Sequence, residues 1–193
     1  MCVNGSVAWV ARTSLPVARE VLQNERARVW TAPRTLPSKA GTVMDPIKLL
    51  KDDHQKVKQL FRDYEAAGEK AYQKKGTIAG KIFQELEVHA TIEEDIFYPA
   101  VMAKADKEGQ TMVEEAEEEH HVVHVLLGEL KTMDVQDEHF DAKMTVLIEN
   151  VEHHIGEEEG EMLPDAQKTL GKDLEQLGQQ METRKQELMA TYA

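Results

Sequence analysis

Four histidines and two glutamates recur along the chain as two copies of one pattern. In each copy a single histidine is followed 35 or 34 residues later by a unit His-x3-Glu. A proline follows ten residues after the histidine of each unit. A His and a Glu four positions apart project from one face of an α-helix, one turn apart. The six residues are, in chain order, His54, His89, Glu93, His120, His154 and Glu158.

Ionisable groups on the apolar faces of helices need a compensating partner. A single histidine on such a face is usually a core residue, but six residues in a duplicated pattern indicate a binding site. An ionised carboxylate is costly to bury alone, and coordination of a metal offsets the cost. Imidazole and carboxylate ligands without sulfur suit iron or manganese, with zinc and copper also open. We therefore predict a metal cluster in which two carboxylates bridge two metals and the imidazoles bind terminally.

The other histidines are assigned by the face on which they fall. His124 follows His120 by four positions, so we predict it as a fifth imidazole ligand that makes the two metals unequal. His121 and His153 fall on polar faces and are predicted to lie at the surface or around the ligands. His139 lies far from the predicted level and is interpreted as structural.

The apolar residues predict four helices that carry these ligands. Steps of three and four residues are typical of one helix face, and Asp45-Pro46 provides an N-cap and a first-turn proline. Connections are predicted at 68–77, 105–110 and 133–138, and Pro99 and Pro164 should end or kink the second and fourth helices. Short connections favour an all-α, up-down-up-down four-helix bundle, with a further C-terminal helix. The four faces are Ile47, Leu50, His54, Val57 and Phe61; Ile82, Leu86, His89, Glu93 and Ile96; Val113, Ala116, His120, Val123, Leu127 and Leu130; Leu147, Val151, His154, Glu158 and Met162.

Composition excludes several kinds of partner. The formal net charge of −13 argues against nucleic acid and anionic membranes. No run reaches the roughly 18 apolar residues of a membrane span. Cys2 is the only cysteine, so the chain has neither a disulfide framework nor a cysteine-based zinc site. We expect a cytoplasmic protein whose oligomeric state the sequence leaves open.

Three segments follow from these patterns. Residues 1–43 contain both tryptophans and are rich in arginine. They are predicted to be a disordered N-terminal extension, with a transit peptide or an upstream start as alternatives. Residues 44–165 should form the bundle and residues 166–193 a C-terminal helix packed on it.

At these residues the chain resembles the hemerythrin-like (HHE cation-binding) family across roughly residues 45–165. The motif residues are His54, His89-x3-Glu93, His120 with His124, and His154-x3-Glu158. The resemblance implies a four-helix bundle with two non-haem irons, joined by an oxo or hydroxo group and two carboxylates. Oxygen-carrying members end in His-x4-Asp, so His154-x3-Glu158 favours the bacterial-type or iron-sensing branch.

Several functions fit this resemblance. The first is a di-iron protein that binds or senses a small ligand such as dioxygen, nitric oxide or peroxide. The alternative is a di-iron oxidoreductase that consumes peroxide or nitric oxide. A ferritin-like iron store needs two Glu-x-x-His units on different helices, and here both candidates, Glu117-x-x-His120 and Glu118-x-x-His121, fall on one helix. A structural zinc bundle is the last alternative.

Overall fold

Residues 44–192 form a helical bundle without a strand in this described part of the chain, in a computed structural model. The predicted all-α fold with an additional C-terminal helix is confirmed. No helix within 44–192 has the length and apolar character needed to cross a membrane. The predictions for residues 1–43 lie outside the described residues. The α-helices are α1 (Pro46–Glu65), α2 (Tyr72–Ile92), α3 (Tyr98–Met102), α4 (Lys107–Leu130), α5 (Phe140–Glu157), α6 (Leu163–Leu170) and α7 (Leu174–Ala190).

The helix starts follow local capping chemistry. Asp45 caps α1 as predicted, since its side chain accepts a hydrogen bond from the Ile47 amide at 2.9 Å. Asp106 caps α4 by accepting from two backbone amides. This places Gly109 inside α4, whereas the sequence predicted a loop over 105–110. Helix α2 also begins earlier than predicted, at Tyr72.

A polar layer separates two halves of the hydrophobic core. On α1, Leu50 belongs to one apolar cluster and Val57 to another, with His54 between them. The same order holds on α4, where Ala116 precedes His120 and Val123 follows it. The predicted apolar faces are therefore buried except for Ile96, which is half-buried, and the motif residues share one level of the bundle.

Each His-x3-Glu unit runs directly into a π-helical turn. The first π-turn is Glu93–Phe97 and the second is Glu158–Met162. The prolines were predicted to end or kink these helices, and the chain does not end there but continues helically past both as α3 and α6. A proline has no amide hydrogen and its ring clashes with the carbonyl four residues earlier. The wider π-turn absorbs that mismatch, and such turns are frequent at functional sites.

The C-terminal helix α7 packs against the first half of the bundle. Leu177 and Met181 join the apolar cluster that contains Leu49 and Ile92. The Lys185 ammonium forms an ion pair with the Asp53 carboxylate. Helix α7 therefore covers the side of the molecule formed by α1, α2 and the first π-turn.

Substitution of Gly178 by alanine is expected to loosen α7. A Cβ at this position would lie 2.0 Å from the Met44 carbonyl oxygen and 3.0 Å from Pro46 Cδ. The backbones must then separate, and overpacking of this kind costs about 1–3 kcal/mol. Chemical denaturation measures the loss. Gly128→Ala is the matched control, because a Cβ there meets nothing within 4 Å and should stabilise α4 by roughly 1 kcal/mol.

Candidate metal centre

The six residues of the duplicated pattern converge in the interior. His54 and Glu158 are each only 1% exposed to solvent, and Glu93 is fully buried. His89, His120 and His154 are also buried. They form two groups whose ligand atoms lie close together, namely His54, His89, Glu93 and Glu158, and His120, His154 and Glu93.

The first group is held by helices from both copies. His54 Nε2 lies 3.2 Å from His89 Nε2 and 3.3 Å from Glu158 Oε2. His89 Nε2 lies 3.2 Å from Glu93 Oε2. Two imidazoles and two carboxylates therefore face one point.

The second group repeats this arrangement. His120 Nε2 lies 3.2 Å from His154 Nε2 and 3.5 Å from Glu93 Oε2. His154 Nε2 lies 3.6 Å from Glu158 Oε2. Each carboxylate thus touches one histidine from each group, as a bridging carboxylate would.

These separations fit ligands of a metal ion. Ligands about 2.0–2.1 Å from one metal lie roughly 3.0–3.4 Å from each other in octahedral or tetrahedral geometry. The first group matches this range, and the second is slightly wider. The first group therefore has the spacing that a cation between the side chains requires, and the second group would contract slightly around one.

An outer carboxylate faces the Nδ1 atom of every histidine in the centre. An Nδ1–H that donates outward leaves the Nε2 lone pair free for a metal, and such partners fix the ring orientation. All four outer carboxylates occupy matching positions in the two copies: one directly precedes the single histidine, and the other directly follows the motif glutamate. The pairs are His54 with Glu159 at 2.9 Å, His89 with Asp53 at 3.6 Å, His120 with Glu94 at 2.9 Å, and His154 with Glu119 at 2.7 Å.

The pair of His89 and Asp53 is the loosest of the four. Its 3.6 Å separation exceeds a hydrogen bond, and the two facing atoms have no other partner. Burial lowers the pKa of His89 to about 4, so the ring is neutral at neutral pH. A neutral imidazole is the form that binds a metal.

Glu93 and Glu158 need a cation more than any other side chains of the centre. Both oxygens of Glu93 and Oε2 of Glu158 are buried without a hydrogen-bond partner. Burial raises the pKa of Glu93 well above its usual range, and the nearby Glu158 raises it further. A bound metal would compensate both charges, so the donor set fits a cationic cofactor.

The structure does not bring His124 into either group. Its side chain is 43% exposed, and Nε2 lies 2.9 Å from Glu94 Oε1. Glu94 in turn faces His120, so His124 contacts a residue that orients a ligand. His121 is exposed, as are His153 and His139. The fifth imidazole expected among the ligands thus lies outside them, because helix α4 turns His120 inward and leaves His124 at its edge.

The sequence reasoning missed Tyr98, which is fully buried beside the centre. Its hydroxyl donates to Glu158 Oε1 at 3.0 Å and lies 3.3 Å from His120 Nε2. In a regular α-helix, a residue five positions after Glu93 lies about 140° away around the axis. The first π-turn brings it back to the inner face. The sequence feature that could have revealed Tyr98 is the pair of prolines, because each proline follows a turn in which the helical period changes.

Tyr98 also makes the two halves of the centre unequal. The matching position in the second copy holds Leu163, which is buried and apolar. Burial raises the pKa of Tyr98 well above its usual range, and the charges of Glu93 and Glu158 raise it further. The phenol therefore keeps its proton and remains a hydrogen-bond donor to Glu158.

Tyr98→Phe is expected to keep the fold and the metal while changing the environment of Glu158. Loss of a buried hydrogen bond to a charged group costs about 1.5–3 kcal/mol. The free energy of unfolding and the visible spectrum of the metal-loaded chain measure the two effects. Tyr64→Phe is the control, since it removes a similar bond to Asp141, 2.7 Å long, far from the centre. A spectrum that changes equally in both variants would contradict a specific role for Tyr98.

A small apolar cavity adjoins the four imidazoles. Its volume is about 20 Å³, which holds roughly one water-sized molecule. Val57, Leu86, Val123, Val151 and Ile155 line it together with the histidines. The centre therefore has room for a ligand of two or three atoms beside its Nε2 atoms.

Comparison with known proteins agrees with this geometry. The sequence profile of the hemerythrin HHE cation-binding domain matches residues 45–166. An uncharacterised hemerythrin-like protein from Schizosaccharomyces pombe is 26% identical over 121 residues, which are 63% of this chain and 59% of that protein. The chain thus spans under two thirds of that relative. A crystal structure of an HHE cation-binding domain-containing protein from Mycobacterium kansasii has the same fold, with a TM-score of 0.65 at 24% identity, over 76% of this chain and 88% of the other.

Proposed function

Because the chain belongs to the hemerythrin HHE cation-binding family, we propose that it is a non-haem di-iron protein that binds or senses a small ligand. The observation that carries the proposal is the duplicated set of four Nε2 atoms around Glu93 and Glu158. Each half supplies two imidazoles, and both carboxylates are shared between the halves. The ligand set would hold one metal in each half.

We take iron as the metal because the family resemblance implies it, while the donor set itself suits iron or manganese and leaves zinc and copper open. Imidazole and carboxylate ligands without a thiolate suit iron, and buried helical bundles are hosts for paired irons. When bound, the metals supply sites for small ligands and for electron transfer. The outer carboxylates keep the imidazoles in the tautomer that binds metal, while the two apolar clusters pack on either side of the centre.

The size of the small cavity favours a ligand of two or three atoms over an organic substrate. Its volume of about 20 Å³ suits a ligand close to a water molecule in size. The apolar lining favours dioxygen or nitric oxide over a hydrated ion. Peroxide also fits by size, and we keep it as a third candidate.

A second candidate function is a di-iron oxidoreductase that consumes peroxide or nitric oxide. The observation that favours it is the Tyr98 hydroxyl, a buried donor 3.3 Å from His120 Nε2. A reaction that consumes its ligand develops charge at the centre, and a buried hydroxyl can stabilise such charge by hydrogen bonding.

Ligand titration of the iron-loaded chain tests the proposal. A binding or sensing protein should give a saturable spectral change with azide or nitric oxide, at about one ligand per pair of irons. Peroxide or nitric oxide that disappears over many turnovers would favour the enzyme, and Tyr98→Phe should then slow it. An iron-loaded chain that responds to none of these ligands would contradict both candidates.

A further inference from the structure

A second cavity reaches the centre within the second copy of the pattern. It lies at the place that α7 covers in the first copy. It lies between α4 and the segment of α5 with the second π-turn, and its volume is about 90 Å³. Its inner end is formed by His154 and by Glu158, which is 1% exposed and has an oxygen without a hydrogen-bond partner. Its outer part is lined by Glu115, Glu119, Glu157 and Glu161.

The charged side chains that line this cavity are acidic. No lysine or arginine is among the residues that line it. Glu115 and Glu161 are exposed and form no ion pair within residues 44–192. Within residues 44–192, Glu157 is paired with His153, whose Nε2 lies 3.1 Å from Glu157 Oε1 and 3.6 Å from Glu119 Oε1. This trio offers three possible ligand atoms to a cation at the mouth.

In the first copy of the pattern, apolar side chains and α7 fill the position that corresponds to this cavity. Alignment of His54 with His120 and of His89 with His154 pairs three of the outer glutamates with apolar residues. Leu49 aligns with Glu115, Ile92 with Glu157, and Ile96 with Glu161. Leu49 and Ile92 are buried beneath Leu177 and Met181 of α7. Asp53, which stands for Glu119, is neutralised by Lys185 of the same helix.

One side of a duplicated centre is thus apolar and sealed, while the other is acidic and open. We propose that the cavity between α4 and the second π-turn is the path by which Fe²⁺ enters the centre, with Glu119, His153 and Glu157 as its first stop. This inference rests on the proposed function. A negative cleft with low-dielectric walls raises the local concentration of cations and their association rate. The unpartnered oxygen of Glu158 receives the cation at the inner end.

The rate of Fe²⁺ uptake by the metal-free full chain tests the path. The variant Glu115→Gln/Glu157→Gln/Glu161→Gln changes charge only at exposed positions, and it spares Glu119 because that residue orients His154. Free Fe²⁺ is measured in quenched samples under anaerobic conditions. We expect uptake to slow at least about tenfold at low salt, with the same final iron content. Added salt should reduce the difference.

The control has the same change of charge at exposed positions outside the cavity. Glu114→Gln/Glu117→Gln/Glu118→Gln alters three exposed glutamates of α4 that do not line the cavity. It should take up Fe²⁺ within about twofold of the wild-type rate, since these charges lie outside the cleft that concentrates the cation. A second variant, Glu115→Leu/Glu157→Ile/Glu161→Ile, copies the sealed side and should slow uptake further.

The outcomes separate the path from the function. If the wild-type chain fills with two irons and the cavity variants fill at the same rate, the path is wrong and the proposed function stands. Equal slowing in the cavity variant and its control would also overturn the path, because net charge alone would then explain the rate. A wild-type chain that takes up no iron would overturn both.

Discussion

Removal of the metal is expected to lower the melting temperature of the chain by about 10 °C or more. A site that exists only in the folded state adds binding free energy to folding. Metal at about a thousand times its dissociation constant contributes roughly 4 kcal/mol. For a domain of this size, each kcal/mol corresponds to about 2–4 °C. Thermal denaturation before and after treatment with a strong chelator measures the difference.

The physical reason lies in Glu93 and Glu158. Without a cation, their unpartnered oxygens remain buried, and the pair has to take up a proton or carry an uncompensated charge. The control is Glu114→Gln, an exposed change that should leave the chelator effect unaltered. Equal melting temperatures after confirmed loss of metal would show that the carboxylates do not depend on it.

The second large effect is expected from single histidine substitutions. His120→Ala and His154→Ala should each lose at least one metal, because both side chains are buried with Nε2 facing the shared carboxylates. His121→Ala and His153→Ala remove the adjacent imidazoles, which are exposed. These two variants should keep both metals. Metal analysis of the four purified chains measures the result.

His124→Ala lies between these cases. His124 contacts Glu94 and packs edge-on against the His120 ring, but it acts on the ligand His120 only from outside. Its loss should therefore weaken metal affinity by less than the roughly 10–100-fold that loss of a direct partner of a ligand costs. The chain should keep its metals and change its spectrum. Metal retained in His120→Ala but lost in His121→Ala would mean that α4 is rotated by about 100° from its position here.

The bundle and the inner residues were predictable because each signal is local. The apolar faces of α1 and α4 follow one helical period, and His54 and His120 occupy inward positions within it. The N-cap at Asp45 follows from its side chain and the proline that comes next. Four imidazoles and two carboxylates at one level then follow from the spacing of the two copies.

The parts that were missed depend on changes of period and on contacts between distant helices. Tyr98 faces the centre because a π-turn shifts the helical register, and a constant period of 3.6 residues places it elsewhere. The pairing of Glu159 with His54 and of Glu94 with His120 joins the two copies across the bundle. Spacing along one helix does not reveal such partners. His124 was predicted as a ligand because it follows His120 by four residues. Such spacing places both on one helix face, but only packing between helices decides whether both side chains point inward.

The measurement that tests the central claim most directly is iron analysis with a near-ultraviolet and visible spectrum of the chain purified in air. Four imidazoles and two shared carboxylates should hold two irons per chain. The spectrum should contain the near-ultraviolet absorption of an oxo-bridged ferric pair, and azide should change it. One zinc per chain without this absorption would contradict the account and support a structural metal site.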